Sequence, residues 1–480
     1  MLYFLGIIFV ISGLVMAIPI PVAFILGEGY LTPYFAIPSG AIVLIGLLMW
    51  RKFKRTDLTL GKAMVLVTLA WALVALFGSI PYIFGNNMSF LDSYFESMSG
   101  FTATGLTRIQ GPTDVAAFSP NGWLGGAKPP DTILFWRSLT EWVGGLGVVV
   151  LFLAAVLGAG RAGRKLYVAE ARTDRIEPSI RETARSIWKI YFLLTLAGVV
   201  GLFLAGVDLF TAVNHAMTGI ATGGFTVTPE SYSPYGVPVL AVTIVIMIAG
   251  ATSFAVHRRV LGGDWREIFR NVEVRLMVVL IVLATLGLVW KVGFGDTLFQ
   301  SVSALTGTGF SSTGVIPPEW GDFEKGVLIT LMVTGGGYGS TSGAIKLVRI
   351  AIIIGAVYWV IKRSFLPERA VVPMKMGGRI YSERDVMETA IYAFIYILVL
   401  VVGALITMGE MPEWSGIDAA FESASAQGNV GLTVGITAVA PPLVRVVFII
   451  QMLVGRLEIL PVVAFIGYIV SKVPRRRRAI

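Results

Sequence analysis

The sequence predicts an all-α polytopic membrane protein, with four pseudo-symmetric repeats of helix, pore loop and helix around a central pore and two extra N-terminal transmembrane helices. Three observations predict it: the hydropathy of the chain, the alternation of its basic segments, and a motif that occurs four times.

Of the 480 residues 55% are hydrophobic and only 14% are charged, with a mean hydropathy of +0.79. Soluble domains run at roughly 45–50% apolar and 25% charged. Spans of about 20 residues with short loops let such a chain cross a bilayer on the order of ten times. The apolar runs are too continuous for the alternating strands of a membrane barrel. Cysteine is absent and the histidines are His215 and His257. That composition removes disulfides, thiol nucleophiles and Cys-ligated metals, and leaves little for a His-based metal site or an enzyme's dyad. No organic cofactor is expected. The net charge of +9 is a matter of membrane topology and lipid headgroups, with no nucleic-acid partner expected.

Apolar stretches long enough to span cover 2–26, 34–50, 60–84, 131–158, 187–206, 236–256, 274–292, 326–361, 387–408 and 443–470. The segments between them alternate. Those at 51–55, 161–189, 258–275, 362–384 and 472–478 are rich in Lys and Arg, whereas 27–33, 207–235 and 409–442 have none. By the positive-inside rule both termini face the cytoplasm of a multi-pass protein in the cell membrane. The first segment has no basic n-region and no obvious cleavage site, so it reads as a retained helix. The tail PRRRRAI reads as an anchor at anionic headgroups.

Four outside segments repeat one pattern without gaps: DSYFESMSGFTATGLT (92–107), TAVNHAMTGIATGGFT (211–226), DTLFQSVSALTGTGFS (296–311) and DAAFESASAQGNVGLT (418–433). In each, Gly105, Gly224, Gly309 or Gly431 lies 13 residues after the first position and precedes Leu or Phe and then Thr or Ser. The opening ten residues or so suit a half-helix of roughly 15 Å, half the hydrocarbon core. A half-helix followed by Thr and Gly reads as a re-entrant loop, because irregular backbone at membrane depth must be buried in protein or line a watery cavity. The chain then divides into the two extra helices (1–57) and repeats at 58–185, 186–270, 271–385 and 386–480.

Such loops present backbone carbonyls that replace the hydration shell of a cation, and glycine permits positive φ and close approach. Half-helix C-termini aimed at the cavity favour a cation. The candidate ion-binding residues are Thr102, Ala103, Thr104 and Gly105; Ala221, Thr222, Gly223 and Gly224; Thr306, Gly307, Thr308 and Gly309; and Gly428, Asn429, Val430 and Gly431. None is a carboxylate, which disfavours a divalent ion. Asp92, Asp296 and Asp418, with Thr211, read as N-caps of the half-helices, or the acids as attractors at the mouth. His215 takes the place of Glu96, Gln300 and Glu422 and reads as packed beside its helix, while His257 reads as interfacial. Arg137 and Glu141, four apart, suit an intrahelical pair.

The stretch 326–361 is too long for one span and is interrupted by TGGGYGSTSGAIK (334–346). There Gly335, Gly336, Gly337, Gly339 and Gly343 cost a continuous helix roughly 5 kcal/mol. A flexible intramembrane loop follows, either a gate under the third loop or a tight helix crossing, with Lys346 beside it. Arg456, mid-way along 443–470, must face the pore or a partner. Glu458 lies on nearly the opposite face of a helix, so Arg456 is either an electrostatic gate or part of a buried ion pair.

These residues resemble the Trk/Ktr/HKT superfamily of potassium uptake proteins, especially its Trk-type membrane subunits. SGFTATGLT, IATGGFT, LTGTGFS and GNVGLT look like the family's filter loops, FWRSLTEWVGGLG (135–147) like the second helix of its first repeat, TGGGYGSTSGAIK like its intramembrane loop, and GRLEI (455–459) like its arginine motif. The resemblance implies K⁺ as the transported ion, bound at the four filters and gated by Arg456 with the intramembrane loop. It also implies a homodimer and a separate cytosolic nucleotide-binding regulatory subunit. Gly105, where the sodium-preferring plant branch has Ser, implies K⁺ selectivity. Coupling of K⁺ to H⁺ or Na⁺ is the alternative. The segment 108–131, longer than a minimal connection and rich in Gly and Pro, is a departure with no assigned role.

Overall fold

A computed structural model describes residues 1–55, 58–110, 122–123, 127–147, 179–316, 320–367 and 372–472. The basic tail, most of 161–189, much of 108–131 and the distal part of the 131–158 span lie outside the described residues. The described chain is mostly helical and divides into two compact units.

The first unit holds 1–94, 146–188 and 457–480. Leu2–Met16 and Thr32–Lys52 cross closely because small residues meet: a Cβ on Gly6 would press on Gly46 O, and one on Gly46 on Gly6 O and Val10. Close backbone approach is how helices associate where lipid supplies no hydrophobic drive. Ser39 seals the crossing by donating to Gly13 O at 2.7 Å. Phe9 meets Phe77 of Leu60–Gly78 edge-on at 5.4 Å, and Ile459–Lys472 packs along the same helix.

The second unit holds 95–145 and 189–456. Four short helices lead into the motif loops: Phe90–Thr102, Leu209–Ile220, Phe294–Thr306 and Gly416–Gly428. At 12 or 13 residues they are about 20 Å long, too short to cross a 30 Å core. Their starts correct the cap assignment. Ser89, Asp208 and Ser415 accept the N–H of Asp92, Thr211 and Asp418, and Gly293 precedes Phe294–Thr306. The aligned Asp92, Thr211, Asp296 and Asp418 therefore stand in the first turn, three residues past the cap. There an acid still faces the positive end of the helix. Asp418 also pairs with Lys325 at 2.6 Å.

Two spans that the hydropathy gives as single helices are sharply bent. Val237–Ala251 and Phe254–Leu261 bend by 104°, with Ser253 capping the second by accepting the Ala255 N–H. Pro442–Leu457 ends before Glu458, whose φ is +61°. Arg456 thus lies in a last helical turn rather than mid-helix, where carbonyls lack intrahelical donors. The third long stretch is Asp322–Thr334, an irregular loop, and Leu347–Ser364. A small antiparallel hairpin, Met374–Met376 with Arg379–Tyr381, follows. It turns at Gly377 and Gly378, both at positive φ, as a tight hairpin requires. Met374 packs on Ile352 and Ala356, so this connection is not purely helical.

The Gly6–Gly46 crossing yields a contrast. Gly46→Ile should lower the melting temperature in detergent, whereas Gly61→Ala, where a Cβ meets open space, should raise stability by about 0.5–1 kcal/mol. Thermal unfolding followed by circular dichroism checks both.

Candidate ion-conducting site

Each short helix ends in the same turn. In the four loops Ala103, Thr222, Gly307 and Asn429 adopt φ of +51°, +52°, +71° and +53°. The next residue's N–H reaches back into the last turn: Thr104 to Ser99 O, Gly223 to Thr218 O, Thr308 to Ser303 O and Val430 to Ser425 O, at 2.9–3.0 Å. This is a Schellman cap, which satisfies carbonyls that a helix end leaves bare. Only one of the four left-handed residues is glycine, so local bonding holds the other three there.

One residue further on, Gly105, Gly224, Gly309 and Gly431 have φ between +80° and +98°. Close approach demands glycine as well. A Cβ on Gly105 would overlap Gly223 O, on Gly224 Thr308 O, on Gly309 Val430 O, and on Gly431 Thr104 O. The contacts run from loop one to two, two to three, three to four and four back to one, and so close a ring. All four candidate quartets meet in it. Thr102 and Thr104 share a hydroxyl hydrogen bond of 2.7 Å, as Thr306 and Thr308 do at 2.8 Å. Asn429 ties the fourth loop to the first through Thr104 Oγ1 at 2.9 Å.

Side chains at the seventh position of each short helix hold the ascending strand after the ring. Glu96 accepts from Thr107 Oγ1 and the Arg108 N–H, each at 2.8 Å. Glu422 accepts from Thr433 Oγ1 at 2.6 Å and from the Val434 and Thr437 N–H groups at 3.1 and 2.8 Å. His215 Nε2 accepts the Val227 N–H at 3.2 Å, and Gln300 donates to Ser311 Oγ at 2.7 Å. The sequence marked these positions as equivalent, and their bonds to the ascending strand are the role it left out. Tyr232, Tyr235 and Phe310 surround the His215 ring, consistent with packing beside its helix. His257 Nε2 lies 2.9 Å from Ala249 O.

The expected Arg137–Glu141 pair is absent among the described residues. Arg137 turns to Glu96 at 2.8 Å, lies over the Phe225 ring at 4.1 Å, and donates to Thr226 O. Glu141 accepts the Phe225 N–H instead. A buried guanidinium takes the site with a carboxylate, a carbonyl and an aromatic face together.

Below the ring lies the irregular loop, bound rather than slack despite its glycines. Gly337 N–H donates to Ala251 O at 2.8 Å, Lys346 N–H to Thr334 O at 2.9 Å, and Tyr338 N–H to Glu273 at 2.7 Å. Thr341 Oγ1 donates to Ile220 O or Gly250 O, at 3.0 and 2.8 Å. Gly335 and Gly339 take φ of +72°. Gly336 abuts Ala251 and Ser342, and Gly343 abuts Gly428 O at the end of the fourth short helix. Lys346 folds back so that its ammonium donates to Ser342 O. Arg456 donates to Thr341 O at 2.6 Å and to Gly144 O and Gly145 O.

A family model described as "TrkH: Cation transport protein" matches residues 35–290 and 293–470. The chain belongs to this family of cation transporters. It is 33% identical to an uncharacterized cation transporter of Methanocaldococcus jannaschii, over 99% of this chain and 96% of that one. It is 30% identical to the Trk system potassium uptake protein TrkH of Escherichia coli, over 95% of each. The crystal structure of the potassium transporter TrkH from Vibrio parahaemolyticus superimposes with a TM-score of 0.80 at 27% identity, covering 98% of both chains. The protein is a multi-pass membrane transporter, not an enzyme.

Glu422→Ala would strand the Val434 and Thr437 N–H groups at about 1–3 kcal/mol apiece. A lower melting temperature is expected, with faster hydrogen exchange at 433–437 than in wild type; unchanged exchange there would refute the bracing role.

Proposed function

We propose that the protein takes up K⁺ across the cell membrane through a selectivity filter made of the four motif loops. The observation that carries this is the closed ring of four left-handed glycines at the carboxyl ends of four half-length helices. Such a ring offers a dehydrated cation backbone oxygens and partly negative helix ends, with no acidic side chain among the ring residues themselves. K⁺, a weakly hydrated cation, suits this environment, and the named activity of the Escherichia coli relative agrees. The filter residues are Thr102 to Gly105, Ala221 to Gly224, Thr306 to Gly309 and Gly428 to Gly431.

The gate is the loop containing Gly335, Gly336, Gly337, Gly339 and Lys346, together with Arg456. A guanidinium held by three carbonyls beneath the filter places positive charge in the path of a cation. Transport is passive and gated. The protein works as a homodimer with both termini cytoplasmic and with a separate cytosolic nucleotide-binding subunit. The relatives' "Trk system" names support further components.

Uptake of radioactive Rb⁺ into liposomes tests the reading. Uptake should be blocked by external K⁺ and not by Na⁺, Gly105→Ser should relax that discrimination, and Arg456→Ala should raise the flux. Equal competition by Na⁺ would remove the selectivity claim. Uphill accumulation driven by a pH gradient alone would replace the passive pore by coupled transport.

A further inference from the structure

The four loops are not equivalent at the position before the ring glycine. Three carry a side chain there, Thr104, Thr308 and Val430, and the second has Gly223. The reason lies on another element. An ideal Cβ on Gly223 would meet the carboxyl carbon and both oxygens of Glu141, before it met any other group. Glu141, on Asp131–Leu146, therefore fills from outside the volume that the other loops fill themselves. Its carboxylate also receives the Phe225 N–H, at 3.1 Å to one oxygen and 3.3 Å to the other. The residue is fully buried.

Charge makes this more than packing. Among the described residues Glu141 has no ion pair, because Arg137, one turn earlier, is committed to Glu96. Glu422 is bound by hydroxyl and N–H groups, and the Arg108 guanidinium caps Thr437 O and Ala438 O. His215 accepts an N–H at Nε2 and so is neutral on that face. Among the described residues, the buried groups behind the ring include the carboxylates Glu96, Glu141 and Glu422 and the guanidinium groups of Arg108 and Arg137. Of these carboxylates Glu141 is the one set directly against filter backbone. Burial opposes the charged form of a carboxylate and the single Phe225 N–H offsets that only in part, so a cation in the filter is the partner that would hold Glu141 ionised.

From this juxtaposition we infer that Glu141 is an affinity-setting residue of the ion path, its carboxylate acting through Gly223 to strengthen binding of a monovalent cation beside the second loop. The permeating ion is then its counter-ion. The filter is asymmetric, tightest on the side of the second repeat. This rests on the filter reading above.

The test compares wild type with Glu141→Gln, Glu141→Asp and the double variant Glu141→Ala with Gly223→Thr, which refills the space as the other loops do. Two readouts are the half-saturating K⁺ for thermal stabilisation in detergent, with N-methylglucamine as the inert cation, and the half-saturating Rb⁺ for uptake into liposomes. Both neutral versions should raise half-saturation by about tenfold with a much smaller change in maximal rate, as expected for loss of one nearby charge in a partly screened interior. The charge-keeping Asp variant should stay within about threefold of wild type. Unchanged half-saturation in a folded neutral variant, or an equal loss in Asp and Gln, would overturn the inference. Failure of both neutral variants to fold beside a folded Asp variant would assign Glu141 to structure alone and overturn it too. A wild type that neither gains stability from K⁺ nor takes up Rb⁺ would instead sink the filter reading itself.

Discussion

The ring contact between each loop's carbonyl and the next loop's glycine constrains everything around it. With Gly223 O against Gly105, Thr308 O against Gly224, Val430 O against Gly309 and Thr104 O against Gly431, no loop can move without its neighbours. The backbone reaches that arrangement only by turning left-handed twice within three residues, which non-glycine residues resist. Schellman bonding stabilises the first turn and glycine the second. A short helix above each loop is then obligatory, because the turn is made from its last carbonyls.

Behind the ring, close packing comes from glycines on other segments. Gly144 faces Phe101 O, Gly250 faces Ile220 O and Gly455 faces Gln427 O, each at the corresponding position of a short helix. The third repeat departs from this pattern, and its own inner segment is the one that unravels. That unravelled loop runs under the neighbouring repeats, touching Gly250, Ala251 and Gly428. The symmetry of the ring and the asymmetry of the floor therefore arise from the same set of contacts. The side chains bracing the ascending strands differ likewise, carboxylates in the first and fourth repeats, imidazole in the second and amide in the third. Each presents an acceptor or donor matched to the strand it holds.

The ring was legible in the sequence because its requirements are local: a helix of fixed length, a turn, and a glycine at fixed spacing. Hydropathy likewise marked the long apolar helices. What escaped the sequence depends on distant partners. Spacing of four suggested that Arg137 meets Glu141, but Glu96, far along the chain, lies in reach and offers a better site. The first-turn acids looked like caps because the motif begins with them, while the true caps Ser89, Asp208 and Ser415 lie outside the shared pattern. The break before Glu458 falls beside Gly455 and Arg456, inside a stretch that reads as one span because its mean hydropathy stays high on both sides. Glycine richness at 334–346 pointed to slack, yet glycine there serves contact as much as freedom, and every end of that loop finds a backbone partner.

Arg456 shows why the floor and the ring must be considered together. Its last-turn position would leave an unpaired charge costly in a membrane, and it is instead held by Thr341 O, Gly144 O and Gly145 O. Gly144 and Gly145 press on Phe101 and Ala221, residues just before two turns of the ring. Hydrogen bonds to a charged group are worth about 1.5–3 kcal/mol each, so the guanidinium leaves only when water or an ion replaces it among the same carbonyls. The site that holds the arginine is therefore itself attractive to a cation. In the gate proposed above, closing the path and conducting through it are two occupancies of one set of oxygens.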